Sequence, residues 1–311
     1  MKKMNKILSL AMALMTVLAL CACGSTAAAP AAPAAPAEAA EAPAEEAPAA
    51  PSNALEKIKA EGVLYVALSP DFAPMEFVDA SKSGQDQYVG FDVTLSKYLA
   101  DYLGVELVIE PLSFDACQTA VYTGSVPMSI SGFSWTEERA ENYELSDEYI
   151  AGENETEQVI LINAADAEKY TSAEDFAGLD VGAQIASLQM NLLTEQIPDA
   201  NPITIGDINT GILELKSGNI VGLAVAKGNG ESIMASNPDL VICDWQFDVS
   251  AESENNVIMI TKGETELLVV VNEALAQAKA EGLYGPWYEE AKALALSDSA
   301  TEVTMEDSAA G

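Results

Sequence analysis

Among 311 residues there is a single arginine, Arg139, the last residue of the stretch SGFSWTEER at 131–139. Three hydroxyl residues, Ser131, Ser134 and Thr136, and one glycine, Gly132, precede it closely. A guanidinium is a rigid fork of donors that fits a carboxylate in two parallel hydrogen bonds, so this group suits gripping a small anion. A lone arginine in an acidic chain also suits a surface ion pair, which stabilises little. The remaining inventory for chemistry is thin. The chain has no histidine, which excludes Ser-His-Asp and Cys-His catalysis, imidazole-bound zinc and the usual near-neutral proton shuttle. Cys117 and Cys243 have no C-x-x-C partner, so no metal site is expected. Two separate buried thiols are expected of them, although an exported protein could also pair them.

The elements around Arg139 decide between these uses. MSIS at 128–131 reads as a strand, and Ser134 with Glu137 has the spacing of a capping box, so a helix is expected to start at Ser134. A helix N-terminus at the carboxyl end of a strand attracts anions, and Arg139 about one turn in would reach the same point. Hydroxyl residues in such turns also serve for capping alone.

Further out, β and α patterns alternate. VLYVAL at 63–68 reads as a buried strand, and Phe91, Leu95, Tyr98, Leu99, Tyr102 and Leu103 recur at helical spacing before Gly104. VELVIEP then reads as a strand and FDACQTAVYTG as a helix. After a polar stretch at 151–157 the alternation restarts with QVILI, DVGAQ, a helix from Ser187 to about Gln196, PITI, a helix over 208–217, NIVGLAV and DLVICDW. NNVIMIT and two helices follow. This predicts an α/β protein of two lobes with mostly parallel sheets, and a ligand crevice beyond the strands' carboxyl ends.

The ends are of another kind. Lys2, Lys3 and Lys6 precede an apolar run from Ile7 to Leu20, a secretory signal too short to span a membrane. Residues 24–53 are mostly Ala, Pro and Glu and predict an extended tether, while 297–311 predict a disordered acidic tail. Formal net charge is -35, from 49 acidic against 14 basic side chains. Such a field repels nucleic acid and anionic headgroups, so neither is an expected partner.

Leu20-Cys21-Ala22-Cys23-Gly24 resembles the lipobox of bacterial lipoproteins, with cleavage before Cys23 and lipid on it. The globular part resembles family 3 extracellular solute-binding proteins, the receptor subunits of polar amino-acid ABC transporters. The resemblance rests on SPDFAPMEF at 69–77, YVGFDVTLSKYLADYLG at 88–104, FDACQTAVYTG at 114–124, SGFSWTEERAENYELSDEY at 131–149 and KGETELLVVVNEAL at 262–275, in that order. It implies a periplasmic-binding-protein-like fold of type II. Lobe 1 would be 54–150 plus 255–296 and lobe 2 would be 151–254, with hinges through AGENE and VSAESE.

By the same resemblance, Arg139 holds the ligand's carboxylate beside Ser134, Gly132 meets the ligand through its backbone, and Phe72 covers it. Ser187 would add a helix N-terminus from lobe 2, within DVGAQIASLQ, and Gln184 would read the ligand's side groups. Two departures stand out: Ala186 replaces a usual glycine, and Ala226 stands where the family commonly has the acid that holds an ammonium. Asp71, Glu231 or Asp244 would have to supply that charge, or the ligand has no ammonium. Lys227 either faces solvent or favours a second acidic group. The implied protein is a monomeric receptor without cofactor or metal, anchored through Cys23 at the extracellular face of the membrane. It would deliver a small carboxylate-bearing solute to an ABC permease. The alternatives are a dehydratase-like enzyme on the same scaffold and the binding module of a membrane sensor.

Overall fold

The computed structural model describes residues 51–150, 157–249 and 255–297, all within one compact unit, Ala50–Gly311. The expected signal, Cys23, the tether, both hinges and the acidic tail fall outside the described residues, save for a few positions at their edges.

The chain enters through α1 (Ala54–Glu61), whose N-terminus is capped by the Asn53 side chain. It continues through β1 (Val63–Leu68), β2 (Asp71–Phe72), β3 (Glu76–Val78), β4 (Tyr88–Val89), α2 (Phe91–Leu103), β5 (Glu106–Pro111), α3 (Phe114–Tyr122), β6 (Met128–Ser129), α4 (Glu137–Asn142) and β7 (Glu144–Leu145). The second lobe holds β8 (Gln158–Asn163), β9 (Asp180–Gln184), α5 (Leu188–Gln196), β10 (Asn201–Ile205), α6 (Ile208–Ser217), β11 (Gly222–Ala226), α7 (Lys227–Ser236) and β12 (Leu240–Gln246). Then β13 (Met259–Ile260), α8 (Thr265–Ala280) and α9 (Tyr284–Ala295) complete the first lobe.

Each lobe is built on a five-stranded sheet, in the order β5-β1-β6-β13-β7 and β10-β9-β11-β8-β12. Both sheets are mixed rather than mostly parallel as expected. β1 runs parallel to β5 and β6, and β9 parallel to β10 and β11. The reversed strands are β13, antiparallel to β6 and β7, and β8, antiparallel to β11 and β12. Each of these two is the first strand after the chain crosses to the other lobe, so it enters its sheet from the side opposite to the βα repeats.

Helices cover both faces of each sheet, which is why strands such as β8 and β11 are apolar along almost their whole length rather than alternating. Two features were not legible in the sequence. β2, β3 and β4 form a small antiparallel sheet, and α7 is spelled KGNGESIMAS, with two glycines and little apolar period. Gly228 and Gly230 of α7 are buried, so that helix depends on packing rather than on propensity.

The small sheet carries the start of the site. Gly90, at φ 119, lets α2 begin directly under Pro74 and Met75; a Cβ there would lie 2.3 Å from the Met75 carbonyl oxygen. Phe91 follows and is fully buried, stacked on Tyr149 at 6.1 Å and met edge-on by Tyr284 and Trp287. It ties α2 to α9 and to the strand end that leads out of the lobe. Replacement Phe91→Ala is expected to cost about 3–5 kcal/mol in denaturant unfolding. Tyr122→Ala, at a side chain 63% exposed, is expected to stay within about 0.5 kcal/mol.

Candidate functional site

Two turns of lobe 1 are bolted together at the carboxyl ends of β1 and β6. The Ser69 amide donates to Ser131 Oγ at 3.0 Å, and Ser131 Oγ donates to Glu76 Oε1 at 2.6 Å. Gly132 has φ 58, and a Cβ on it would sit 2.8 Å from the Phe72 ring, so glycine is what allows that ring to lie on the turn. The Gly132 amide donates to buried Asp92 Oδ2 at 2.9 Å, and the Tyr149 hydroxyl donates to the same oxygen at 3.0 Å. Only the carbonyl of Gly132 is therefore left for a ligand.

The expected capping box at Ser134 does not form. Ser134 is extended and bridged to Asn256, so the helix cannot start until Thr136, whose hydroxyl accepts the Arg139 amide at 3.2 Å. The resulting α4 has six residues, too short for a useful dipole, and the anion-binding role expected of its N-terminus lapses.

Arg139 is only 7% exposed. Its Nη1 donates to the Ser134 carbonyl at 2.7 Å and its Nη2 to the Ala186 carbonyl, in lobe 2, at 3.1 Å. The guanidinium carbon lies 5.3 Å and 5.8 Å from the ring centres of Phe133 and Phe114, which stack on each other. Among the described residues no carboxylate forms an ion pair with it. Burial alone pulls its pKa down to about 10, so it remains a cation at neutral pH. Two of its five N–H donors are used by carbonyls, and three are left for an anion.

Lobe 2 meets this group at the end of β9. Ser187 caps α5, its hydroxyl accepting the Met190 amide at 3.1 Å. Ala186 adopts φ 58, rare for a residue with a Cβ. Its carbonyl accepts from Gln118 Nε2 at 3.2 Å as well as from Arg139. Gln184 Nε2 crosses to Asp71 Oδ2 at 2.9 Å, and the Ile208 amide at the start of α6 reaches the same oxygen at 2.8 Å. Ser69 Oγ donates to Asp71 Oδ1 at 2.7 Å. Asn229 donates to the Ala73 carbonyl at 3.0 Å. These direct bonds hold the lobes closed on each other.

All six residues named from the sequence, Arg139, Ser134, Gly132, Phe72, Ser187 and Gln184, line one cavity between the lobes, together with Asp71, Phe114, Ser131, Leu188 and Gln189. Phe114 and Gln118 were missed. They sit four apart at the start of α3, directly after β5, and that spacing could have flagged them. Of the acids considered for an ammonium, Asp71 alone lines this cavity; Glu231 lines a separate crevice with Lys292, and Asp244 is exposed on β12. Ala226 is buried at the end of β11. Lys227 is not a reader of a second acid, because Glu157 binds its ammonium at 2.9 Å. Cys117 and Cys243 are free, buried and in different lobes, and burial pushes the Cys117 thiol up to about 12. No group of three or more metal-ligating side chains occurs among the described residues.

Two α/β lobes closed over a cavity with a buried cation in its wall define a two-lobed solute receptor. The chain belongs to the bacterial extracellular solute-binding proteins, family 3, whose model matches residues 64–290. It is 24% identical to a probable histidine-binding protein of Campylobacter jejuni over 75% of this chain and 86% of that one. Among solved structures, an amino acid ABC transporter substrate-binding protein from Streptococcus pneumoniae, bound to L-arginine, is similar with TM-score 0.72 and 30% identity, covering 78% of this chain and 100% of the other. An ancestral amino acid-binding protein described as a precursor of cyclohexadienyl dehydratase is similar with TM-score 0.65 and 29% identity, over 76% and 98%.

Two outcomes follow from the geometry. Ala→Gly ordinarily costs about 0.5–1 kcal/mol, but relief of the left-handed strain at Ala186 makes Ala186→Gly neutral or stabilising by up to about 1 kcal/mol in thermal unfolding. Burial raises Asp71 to about 7, with the Asp207 charge adding to it, and burial raises Asp92 to about 6. A carboxyl raised in the fold stabilises it fully below the unfolded value of 3.8 and loses that contribution as pH climbs through the folded one. Stability is therefore expected to fall between about pH 4 and pH 7. Asp92→Asn should flatten that slope relative to the unaltered protein, as read from unfolding midpoints across the range.

Proposed function

We propose that the protein is the receptor of an ABC importer and captures a small carboxylate-bearing solute, an amino acid or close analogue, between its lobes. One observation carries this reading: Arg139 is a buried cation that pairs with no carboxylate among the described residues, in a cavity walled by both lobes. A buried charge without a counter-charge is costly, and an incoming carboxylate removes that cost. Phe72 would cover the ligand, the Gly132 carbonyl and Ser134 would flank it, and Ser187 and Gln184 would contact it from lobe 2. AGENE at 151–155 and VSAESE at 249–254 would act as hinges between lobe 1, at 54–150 plus 255–296, and lobe 2, at 151–254. Cys23, freed by cleavage of the signal and lipidated, would tether a monomeric receptor at the extracellular face of the membrane, beside its permease.

A second reading, an enzyme on the same scaffold, has one observation in its favour. Asp71 lines the cavity with its pKa raised to about 7, near the value that suits a general acid. The likeness to a dehydratase precursor points the same way. Incubation with the bound solute and mass spectrometry separates the two: a receptor returns the solute unchanged.

The test of the receptor reading is a thermal-shift screen of amino acids, dicarboxylates, keto acids and short peptides. A ligand at 100 times its Kd should stabilise the protein by about 2.7 kcal/mol. Arg139→Ala should remove about 2–5 kcal/mol of binding and with it the shift. An undiminished shift in that variant would falsify the clamp.

A further inference from the structure

We infer that Glu76 and Asp92 hold a single proton between them, and that this pair is the positioning device for the turn at 131–134 that walls the cavity. The inference rests on the receptor reading only in treating that cavity as a ligand site. Both side chains are fully buried, Glu76 at the start of β3 and Asp92 in the first turn of α2, and the two carboxyls meet. Hydrogen bonds fix what each oxygen can do. Ser131 Oγ accepts the Ser69 amide, and its own hydrogen goes to Glu76 Oε1. The Gly132 amide and the Tyr149 hydroxyl both donate to Asp92 Oδ2. Those two oxygens are acceptors, while Glu76 Oε2 and Asp92 Oδ1 are buried without a donor. Two ionised carboxylates would put like charges in contact in a dry interior, with two unmet acceptors. One proton, carried on Glu76 Oε2 and donated to Asp92 Oδ1, removes both costs.

The surroundings place the proton on Glu76. Burial first, then the Asp92 charge and more weakly that of Asp71, raise Glu76 well above the usual carboxylate range. Burial raises Asp92 only to about 6, because Gly132, Tyr149 and Glu76 all favour its charged form. Burial also keeps the Tyr149 hydroxyl neutral, and no lysine or arginine among the described residues forms an ion pair with either acid. Above about pH 6 the pair therefore has one proton and one negative charge. Ser131 hangs on one member and Gly132 on the other, so successive residues of the turn are fixed by the two ends of one unit. Both residues line the cavity, and the turn runs on to Ser134, whose carbonyl holds Arg139. Through Tyr149, paired by its backbone with Asn256, the unit also reaches the two segments where the chain leaves and re-enters lobe 1.

The first two tests need no ligand. Infrared difference spectra of the full chain, unaltered minus Glu76→Gln, are taken at about pH 8, above the Asp71 and Asp92 values. They are expected to show the carbonyl stretch of one protonated carboxyl, and its absence overturns the inference. The Gly132 amide proton, followed by NMR, should lie downfield in the unaltered protein and in Glu76→Gln, whose amide repeats the donor and acceptor pattern of a protonated acid. It should move upfield in Asp92→Asn; an unmoved resonance there means that the charge does not hold the turn, and the inference is wrong. Binding is then read by calorimetric titration with L-arginine, L-histidine and L-cystine. For whichever binds, Glu76→Gln should stay within about threefold of the unaltered protein, while Glu76→Ala and Asp92→Asn each lose about 10-fold or more. The advantage of the unaltered protein over Asp92→Asn should shrink by about threefold or more between about pH 7.5 and pH 5, as Asp92 takes up its proton. Equal losses in Glu76→Gln and Glu76→Ala, or an advantage that does not change with pH, overturn the positioning role. If none of the three amino acids binds, the receptor reading is what suffers, and the infrared and NMR results still decide this inference.

Discussion

Everything at the cleft depends on keeping one guanidinium charged and dry. Taking a cation out of water costs several kcal/mol after relaxation, and among the described residues this is offset by two carbonyls and two aromatic rings rather than by an acid. An acid among 49 would have been easy to supply. Its absence at this position keeps the charge available to a ligand. Lysine could not substitute, since an ammonium is compact, strongly hydrated and without the flat face that stacks on Phe133 and Phe114. The long-range field of the protein opposes anions, so the anion site has to be made locally, by a buried cation whose interactions solvent does not screen.

Behind this cation stands an arrangement of acids that would fail if all were ionised. Glu76 and Asp92 are both fully buried beneath the Gly132 turn, and each has one carboxyl oxygen with no protein donor. Burial first, and the Asp92 charge second, hold Glu76 well above the usual carboxylate range, while the Gly132 amide and the Tyr149 hydroxyl favour the charged form of Asp92. One proton shared between the two carboxyls gives each a partner and leaves a single negative charge to pull the Gly132 amide inward. That pull engages the amide of the turn, so it is the Gly132 carbonyl, not its amide, that is left unused by Asp92.

Much of this was legible in the sequence because it rests on strong local signals. Arg139 announced itself by rarity and by its place after a strand, and α2 by its apolar spacing from Phe91 to a closing Gly104, which is left-handed at φ 72. DVGAQIASLQ gave a strand, a turn and the helix cap at Ser187. What failed depended on distant partners. Ser134 reads as an N-cap until Asn256, more than a hundred positions away, holds it extended. α7 has poor intrinsic propensity and exists by packing against β8, β11 and β12. The pairing of Asp71 with Gln184 and Ile208 crosses lobes and leaves no periodic trace. Mixed sheets arose for the same reason: the direction of β8 and β13 is set by where the chain re-enters a lobe, which no local pattern encodes.

Closure and recognition use the same groups, and this limits how the cleft can work. Arg139 gives one N–H to the opposite lobe at Ala186, and Asp71 takes two donors from it. If those bonds exhausted either group, the closed form would exclude its own ligand. At Arg139 they do not, since a guanidinium with two donors engaged retains three, whereas the Asp71 carboxyl also meets the Asp207 side chain. At Arg139 the bonds between lobes therefore favour the closed geometry while leaving donors free for an anion. Their strength must still be modest, because a receptor that closes firmly when empty lowers its apparent affinity by the fraction of molecules left open. Ala186, whose carbonyl makes the contact with Arg139 and Gln118, holds a left-handed conformation that is strained for a residue with a Cβ.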